Sequence, residues 1–323
     1  MKKLLAMILA AVLALGLVAC GEETETTTAP ETESVADPSR ESESTPEATE
    51  PQSTTAAAVP QTVIKVRMGD TYKTDLDGDG TEDEVLVNVK TETVQGDGYS
   101  YDETKWDSFE INGKKMIDAK SDEPFAEFQI WYEYPAGDYY YITDLDVNDG
   151  VKEIAVVDNG SNDWTVTTFF RYAGGKLNYL GYMESSPDSD NFILFGNGTA
   201  QARIHIQVFQ TWNGVAVYEV GADGKIALKK GQIIIPDKND YLHPTIKKDL
   251  TVYSEMDNAS ATHVIKGDGS AVEFTQTDNE HWVKVETKNG ESGWIYLVEW
   301  SQVDNGGTIE YSSDIFDDLL FAG

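Results

Sequence analysis

The chain has 323 residues, with 57 Asp and Glu against 24 Lys and Arg, so its formal charge is −33. This excess argues against binding nucleic acid or an anionic membrane surface through charge, because both are themselves negative. It suits an exported, well-solvated protein, or one whose carboxylates hold divalent cations. The length exceeds that of a typical domain and predicts more than one folded module.

The N-terminus has the pattern of an export signal. Lys2 and Lys3 precede an apolar run, Leu4 to Ala19, that is shorter than the about 20 residues needed to span a bilayer. The run ends in LVAC at 17–20, and Cys20 is the only cysteine of the chain. These residues resemble the lipobox of bacterial lipoproteins, which implies that Cys20 is lipidated and becomes the new N-terminus. The alternative is an ordinary secretory signal with an incidental cysteine.

Residues 21–61 are predicted to form a disordered tether. Glu, Thr, Ser, Pro and Ala dominate the segment, and such a composition cannot bury enough apolar surface to offset ordering. A tether of this kind after a lipobox is typical of Gram-positive surface lipoproteins. The resemblance therefore implies an extracellular protein held at the outer leaflet of the cytoplasmic membrane by its lipid alone.

An acidic loop, DLDGDGTED at 75–83, is the most informative stretch of the folded region. Its carboxylates fall at Asp75, Asp77, Asp79 and Asp83, and Gly80 allows a sharp turn. Ca²⁺ takes six to eight oxygens at about 2.3–2.6 Å, and this spacing brings oxygens to one point. The loop is therefore a predicted Ca²⁺ site.

The residues after the loop predict a strand. Valines alternate with other residues over 84–89, which is the period of a half-buried strand. Leu86 stands where a helix–loop–helix site carries its bidentate Glu. The site is therefore predicted to be a loop followed by a strand, and not an EF-hand.

The loop is repeated. YKTDLD at 72–77 returns 69 residues later as YITDLD at 141–146, which indicates a duplicated unit. Without a gap, the second copy places Asp144, Asp146 and Asn148 at the ligand positions, as a degenerate second metal loop. Lys152 then stands where Asp83 does in the first copy, and could neutralise the carboxylates in place of a metal.

Three hairpin turns divide the strands of this region. They are predicted at Asn112-Gly113, Gly174-Gly175 and Asp223-Gly224, pairs that tolerate the positive φ of tight turns. Asp188 and Asp190, before the third hairpin, are interpreted as the remnant of a third acidic loop. The region is predicted to be all-β.

The acidic loop that enters a strand, repeated with hairpins, resembles the FG-GAP/VCBS family of calcium-loop β-propeller repeats. The resemblance implies a small or incomplete β-propeller-like domain. It also implies that Ca²⁺ is bound by Asp75, Asp77, Asp79, Asp83 and the carbonyl of Thr81.

The C-terminal region has a different pattern. A W-x-x-V strand at 282–285 and a G-x-x-G-W-I run at 290–295 resemble the bacterial SH3-like domain, a small β-barrel. In the tail, Ser313 or Asp314 could cap one helical turn with an apolar face that docks on the β domains. The predicted segments are the signal 1–20, the tether 21–61, the repeat domain 62–245, the SH3-like domain 246–300 and an acidic tail 301–323 with a short docking helix.

Function is less sharply indicated. The four histidines lie far apart in the sequence and no nucleophile-elbow pattern occurs, so no catalytic residues are assigned. Aromatic residues are candidate ligand platforms, although strand packing explains them more simply: Trp131, Tyr134, Tyr139, Trp282 and Trp294. We expect a non-enzymatic, calcium-stabilised, monomeric surface lipoprotein that binds peptidoglycan or glycan and not nucleic acid. The alternatives are a secreted hydrolase of wall polymer and an accessory subunit of a membrane-bound complex.

Overall fold

The computed structural model describes residues 60–118, 135–159, 164–237 and 244–321. The signal sequence with Cys20, nearly all of the tether, Trp131 and Tyr134 lie outside these ranges. The described chain is built of β-strands and one short helix, which confirms the predicted all-β class. No helix in it is both long enough and apolar enough to cross a membrane.

The strands up to residue 236 form three antiparallel sheets. In chain order these strands are β1 (Ile64–Arg67), β2 (Thr71–Thr74), β3 (Asp83–Gln95), β4 (Ser100–Ile111), β5 (Lys114–Asp118), β6 (Pro135–Thr143), β7 (Glu153–Asn159), β8 (Thr165–Ala173), β9 (Lys176–Glu184), β10 (Ile193–Leu194), β11 (Thr199–Ile206), β12 (Trp212–Val220), β13 (Ile226–Leu228) and β14 (Ile235–Pro236). The first sheet has the order β2-β3-β4-β5 and the second β1-β6-β7-β8-β9. The third has the order β10-β11-β12-β13, with β14 also paired to β12.

The predicted hairpin turns are present. Asn112 and Gly113 connect β4 to β5 with φ of 53° and 72°, and Gly174 and Gly175 connect β8 to β9 with φ of 58° and 75°. Two successive residues with positive φ are what a tight two-residue hairpin requires. Gly224, between β12 and β13, has φ of 74°. Local sequence therefore determined these three turns.

The second sheet is buried on both faces. Along β7, alternate side chains belong to two different hydrophobic clusters, one shared with the first sheet and one shared with the third. On β6, Tyr140 likewise packs toward the first sheet and Tyr141 toward the third. The rings of Phe109 and Phe170 meet edge to face at 5.7 Å between the first and second sheets. The three sheets thus pack face to face in chain order.

The remaining strands form an antiparallel C-terminal sheet and a two-stranded pair. They are β15 (Thr245–Ile246), β16 (Leu250–Tyr253), β17 (Thr262–Ile265), β18 (Val272–Thr277), β19 (Trp282–Thr287), β20 (Ser292–Glu299), β21 (Gln302–Asn305), β22 (Thr308–Tyr311) and β23 (Phe316–Asp317). The sheet order is β17-β16-β20-β19-β18, and β20 also pairs with β21, which pairs with β22. β15 pairs with β23. Over the described ranges, none of the sheets closes on itself.

The hydrophobic core continues from the third sheet into the C-terminal sheet. The ring of Phe209 lies 4.6 Å from that of Phe274 and 5.7 Å from that of Phe316, centroid to centroid. Ile234, next to β14, exchanges main-chain hydrogen bonds with Thr277 at the end of β18. The described residues accordingly belong to one compact unit.

The tail differs from the prediction of a docking helix. Residues Ser312–Ile315 do form one helical turn, α1, but Tyr311 occupies the N-cap position without a side-chain cap, so neither Ser313 nor Asp314 caps it. The preceding residues form the β21–β22 hairpin, and Phe316 belongs to β23. Ile315 and Phe316 are buried whereas Leu320 is exposed. The tail therefore docks as predicted, through Ile315, Phe316 and Leu319 and through strand pairing, but the helix ends after one turn because Phe316 pairs with β15.

Candidate metal centre

The first acidic loop joins β2 to β3. Thr74 and Asp83 are paired across these strands, which holds the two ends of the loop side by side. Within the loop, Asp75 accepts the main-chain N–H of Gly78 at Oδ1 (2.8 Å) and that of Gly80 at Oδ2 (2.9 Å). One carboxylate therefore organises the turn.

Three of the four predicted carboxylates come together. Asp75, Asp77 and Asp83 each offer one oxygen, and these oxygens all lie within 4.8 Å of one another. Two oxygens bound to the same Ca²⁺ can be at most about 5.2 Å apart, which is twice the longest usual Ca–O distance. The spacing and the all-oxygen donor set therefore fit Ca²⁺.

The other two predicted ligands are differently placed. Asp79 is exposed and accepts the main-chain N–H of Thr81 at 2.7 Å, and it is not among the three clustered carboxylates. The carbonyl of Thr81 stays a predicted ligand. The candidate centre is therefore the triad of Asp75, Asp77 and Asp83.

Asp83 is the buried member of the triad, with 8% of its surface exposed. Its Oδ2 accepts the main-chain N–H of Leu76 at 3.2 Å, and its Oδ1 accepts the side-chain amide of Asn112 at 2.7 Å. The sequence marked Asn112 only as a turn residue, and nothing in the sequence relates it to Asp83, 29 positions away. Such an outer hydrogen bond fixes the orientation of a ligand.

No described side chain neutralises the triad. In the described part of the chain, neither Asp75, Asp77, Asp79 nor Asp83 forms an ion pair with Lys, Arg or His. The pKa of Tyr172, on the second sheet, is raised by burial and, after that, by the nearby charges of Asp83, Asp77 and Asp79. The loop thus carries a concentrated negative charge.

The second loop, between β6 and β7, is built on the same plan but is one residue longer. Thr143 pairs with Glu153, as Thr74 pairs with Asp83. The main-chain N–H of Leu145 donates to Glu153 Oε2 at 2.9 Å. Glu153 is therefore the counterpart of Asp83, and the ungapped comparison that placed Lys152 there was wrong by one residue.

Arg171, on β8, supplies a cation to the second loop. Its guanidinium donates to Glu153 Oε1 through Nε at 3.1 Å and also through Nη2, and Nη2 lies 3.0 Å from Asp149 Oδ2. Glu153 is fully buried, and burial raises its pKa to about 6 despite the lowering effect of Arg171. Neither Glu153 nor Arg171 was predicted from the sequence, because the shift of one position hid the equivalence of Glu153 and Asp83.

Two of the three predicted ligands of the second loop, Asp146 and Asn148, are hydrogen-bonded to one another, whereas Asp144 Oδ1 is buried without a hydrogen-bond partner among the described residues. Asn148 turns its amide N–H toward Asp146 Oδ1 at 2.9 Å. Lys152 donates from Nζ to Thr74 Oγ1 at 2.7 Å, although its charge also lowers the pKa of Asp144, which burial raises overall. Arg171 therefore neutralises Glu153 and Asp149, whereas the charge of Lys152 acts on Asp144.

The loops also contact one another in series. The main-chain N–H of Lys152 donates to Leu76 O at 3.0 Å, and that of Gly198 donates to Leu145 O at 2.7 Å. The third loop is thus the short turn around Gly198, between β10 and β11. The interpretation of Asp188 as a loop remnant was wrong, because Asp188 instead binds Lys65 Nζ (2.6 Å) and the hydroxyl of Tyr141 (2.9 Å).

The aromatic candidates show mostly packing contacts. Tyr139 is 38% exposed, and Lys65 Nζ lies 4.2 Å above its ring. Trp282 is buried against Tyr253 and Tyr296, with ring centroids 5.5 and 4.9 Å away. Trp294 is half-buried on β20.

Function is therefore inferred from the geometry of these sites, because comparison with known proteins finds no match. The chain matches no family model, no curated protein and no solved structure.

Proposed function

We propose that the chain is a non-enzymatic, calcium-stabilised surface lipoprotein whose β-modules bind cell-wall or other extracellular material. The observation that carries the metal assignment is the triad of Asp75, Asp77 and Asp83, with oxygens within 4.8 Å of one another and no side-chain cation paired with them among the described residues. Arg171 supports it by contrast, because the second loop of the same plan contains its own positive charge.

The fold supports the finer assignments. Three sheets packed face to face, with loops in mutual contact at one edge, are consistent with blades of a small propeller-like domain. The antiparallel C-terminal sheet, with Trp282 and Trp294 on neighbouring strands, is consistent with an SH3-like module. Lipidation of Cys20 would hold these modules outside the cell.

Calcium binding would act as a clamp between β2 and β3. The cation would neutralise carboxylates that otherwise repel one another, in the part of the loop that contacts the second loop through Leu76. Extracellular modules bind Ca²⁺ with Kd of about 0.1–1 mM. At ten times Kd, binding to the folded state alone adds about 1.4 kcal/mol of stability.

Thermal melting in Ca²⁺ and in chelator tests the metal site. For the full chain we expect Ca²⁺ at about 10 mM to raise Tm by about 3–5 °C. The variant Asp77→Ala should lose this increase. Asp97→Ala is the matched control, because Asp97 is an exposed carboxylate between β3 and β4 and should leave the increase intact. Equal Ca²⁺ responses of the two variants would refute the site.

Pull-down on purified peptidoglycan and glycans tests the binding function. We expect the full chain to be retained in the presence of Ca²⁺. No retention on any of these materials, with or without Ca²⁺, would refute it. Turnover of the polymer that one carboxylate substitution abolishes would instead identify a hydrolase.

A further inference from the structure

A cavity of about 190 Å³ lies between the second and third sheets. Its wall comes from the start of β8, the end of β9 and facing parts of β11 and β12, and includes Trp164, Glu184, Arg203, His205 and Asn213. The second acidic loop enters at the start of β7 and the turn around Gly198 at the start of β11, whereas Glu184 ends β9 and His205 is near the end of β11. The cavity is therefore at the opposite end of the strands from the acidic loops.

The polar groups of the wall are held in place. Glu184 Oε2 accepts the main-chain N–H of His205 at 2.7 Å and lies 3.2 Å from His205 Nδ1. The imidazole in turn lies against the indole of Trp164, with ring centroids 5.4 Å apart. Ser185, which follows Glu184, has φ of 130°. A side-chain-bearing residue rarely adopts this conformation, and such strain clusters at binding and catalytic sites.

The wall offers both donors and acceptors. Arg203 donates from Nε to Asp237 at 2.9 Å, and a guanidinium has four further N–H donors. Asn213 Oδ1 is buried and has no hydrogen-bond partner among the described residues. Solvent does not reach this oxygen, so the acceptor that the wall offers to a ligand is the carboxylate of Glu184.

We propose that this cavity binds one sugar residue of a glycan. A sugar hydroxyl can donate to Glu184 and accept from Arg203, and the C–H face of a sugar ring is compatible with the electron-rich face of Trp164. The volume is below the about 300–1,000 Å³ of sites for drug-sized ligands, which favours a single ring. The proposal rests on the proposed function, since it specifies which material the protein binds.

The wall favours binding over cleavage. Glycoside hydrolysis ordinarily uses a pair of carboxyl groups on either side of the scissile bond. Among the described residues that line the cavity, Glu184 is the one carboxylate, and His205 already engages it. The assigned role of the pocket is therefore recognition.

Isothermal titration of the full chain with N-acetylglucosamine, glucose and galactose tests the proposal. A ligand of this size is expected to have a Kd on the order of 1 mM. We expect at least one of the three sugars to bind, Trp164→Ala to weaken that binding at least tenfold, and Glu184→Gln to weaken it several-fold. The side chain of Glu184→Gln still has an oxygen that accepts the main-chain N–H of His205, so this variant should fold. It therefore tests the pocket even if Trp164→Ala does not fold. Trp300→Ala, at an exposed tryptophan outside the cavity, is the control and should bind normally.

The outcomes separate this proposal from the proposed function. Absence of binding by all three sugars at about ten times the expected Kd, or binding that Glu184→Gln leaves unchanged, overturns the sugar pocket. If the chain is then still retained on peptidoglycan, the proposed function stands without this pocket. Sugar binding that Trp164→Ala and Glu184→Gln weaken, in a chain not retained on peptidoglycan or glycan, supports the pocket and refutes polymer binding.

Discussion

The main-chain N–H of Leu145 donates to the buried carboxylate of Glu153 at 2.9 Å. Leu76 and Asp83 make the same bond in the first loop, at 3.2 Å. In both loops the carbonyl of the leucine accepts an N–H from the next loop along the chain. The two loops thus share one hydrogen-bonding plan and differ in their charge, because Arg171 binds Glu153 whereas no side-chain cation binds Asp83 among the described residues.

Removing Arg171 should strongly destabilise the protein. The variant Arg171→Met leaves Glu153 as a buried carboxylate without its cation, which typically costs about 3–5 kcal/mol. Glu153→Gln should reduce the free energy of unfolding by less, because the amide oxygen of Gln can still accept the main-chain N–H of Leu145. Urea unfolding measures both, and the double variant should be more stable than the sum of the two losses implies.

The exposed pair of Lys73 and Glu84, 3.3 Å apart, provides the control for that experiment. Lys73→Met should change stability little, since exposed ion pairs contribute little. A strictly additive double variant at Glu153 and Arg171 would show that the two side chains are not coupled.

Stability should depend on pH through Glu153. Burial raises its pKa from 4.5 to about 6, so the folded state holds this proton more tightly than the unfolded chain. The resulting stabilisation is complete below pH 4.5 and is lost as the pH rises through about 6, by about 2 kcal/mol in total. We therefore expect the free energy of unfolding of the wild type to fall by about 2 kcal/mol relative to that of Glu153→Gln as the pH rises from 4.5 to 7.

Denaturant unfolding of the wild type and of Glu153→Gln at both pH values measures this difference. Other ionisable groups, including Asp144, are common to the two proteins and cancel in the comparison. A difference that does not change with pH would contradict the raised pKa.

The contact between the first two loops should be sensitive to a single methyl group. Gly78 has φ of 75°, and a Cβ at this position would lie 2.9 Å from the carbonyl oxygen of Gly150. Gly80 has φ of 85°, and a Cβ there would meet nothing within 4 Å. Both Gly→Ala variants carry the backbone cost of a positive φ, about 1–2 kcal/mol, but only Gly78→Ala also disturbs the neighbouring loop.

Thermal or urea unfolding should therefore find Gly78→Ala less stable than Gly80→Ala by about 1 kcal/mol or more. Equal losses would show that the two loops can separate at little cost. The metal prediction for the first loop would be unaffected by that result.

The tail should contribute directly to the core. Phe316 is buried and its ring lies 5.2 Å from that of Phe274 and 5.7 Å from that of Phe209. Phe316→Ala should cost about 3–5 kcal/mol, as for other large-to-small core substitutions. Phe321→Ala, at an exposed ring five positions later, is the control and should change the unfolding free energy little. A small effect of Phe316→Ala would mean that the tail is not needed for the core.

The sequence by itself determined the features that depend on neighbouring residues. Positive φ at Gly113 and Gly175 follows from local chemistry, as does the alternation of β3, so the hairpins and the all-β class could be predicted. The convergence of Asp75 and Asp77 is local too, because only Leu76 separates them.

Only the tertiary structure decided which distant residues meet. The pairing of Thr143 with Glu153 revealed the extra residue of the second loop, and strand pairing placed Arg171 beside it. The sugar pocket likewise joins Trp164 to His205, which are 41 positions apart. These contacts depend on strand register and on sheet packing, which are set by the whole core. A local sequence pattern therefore does not predict them.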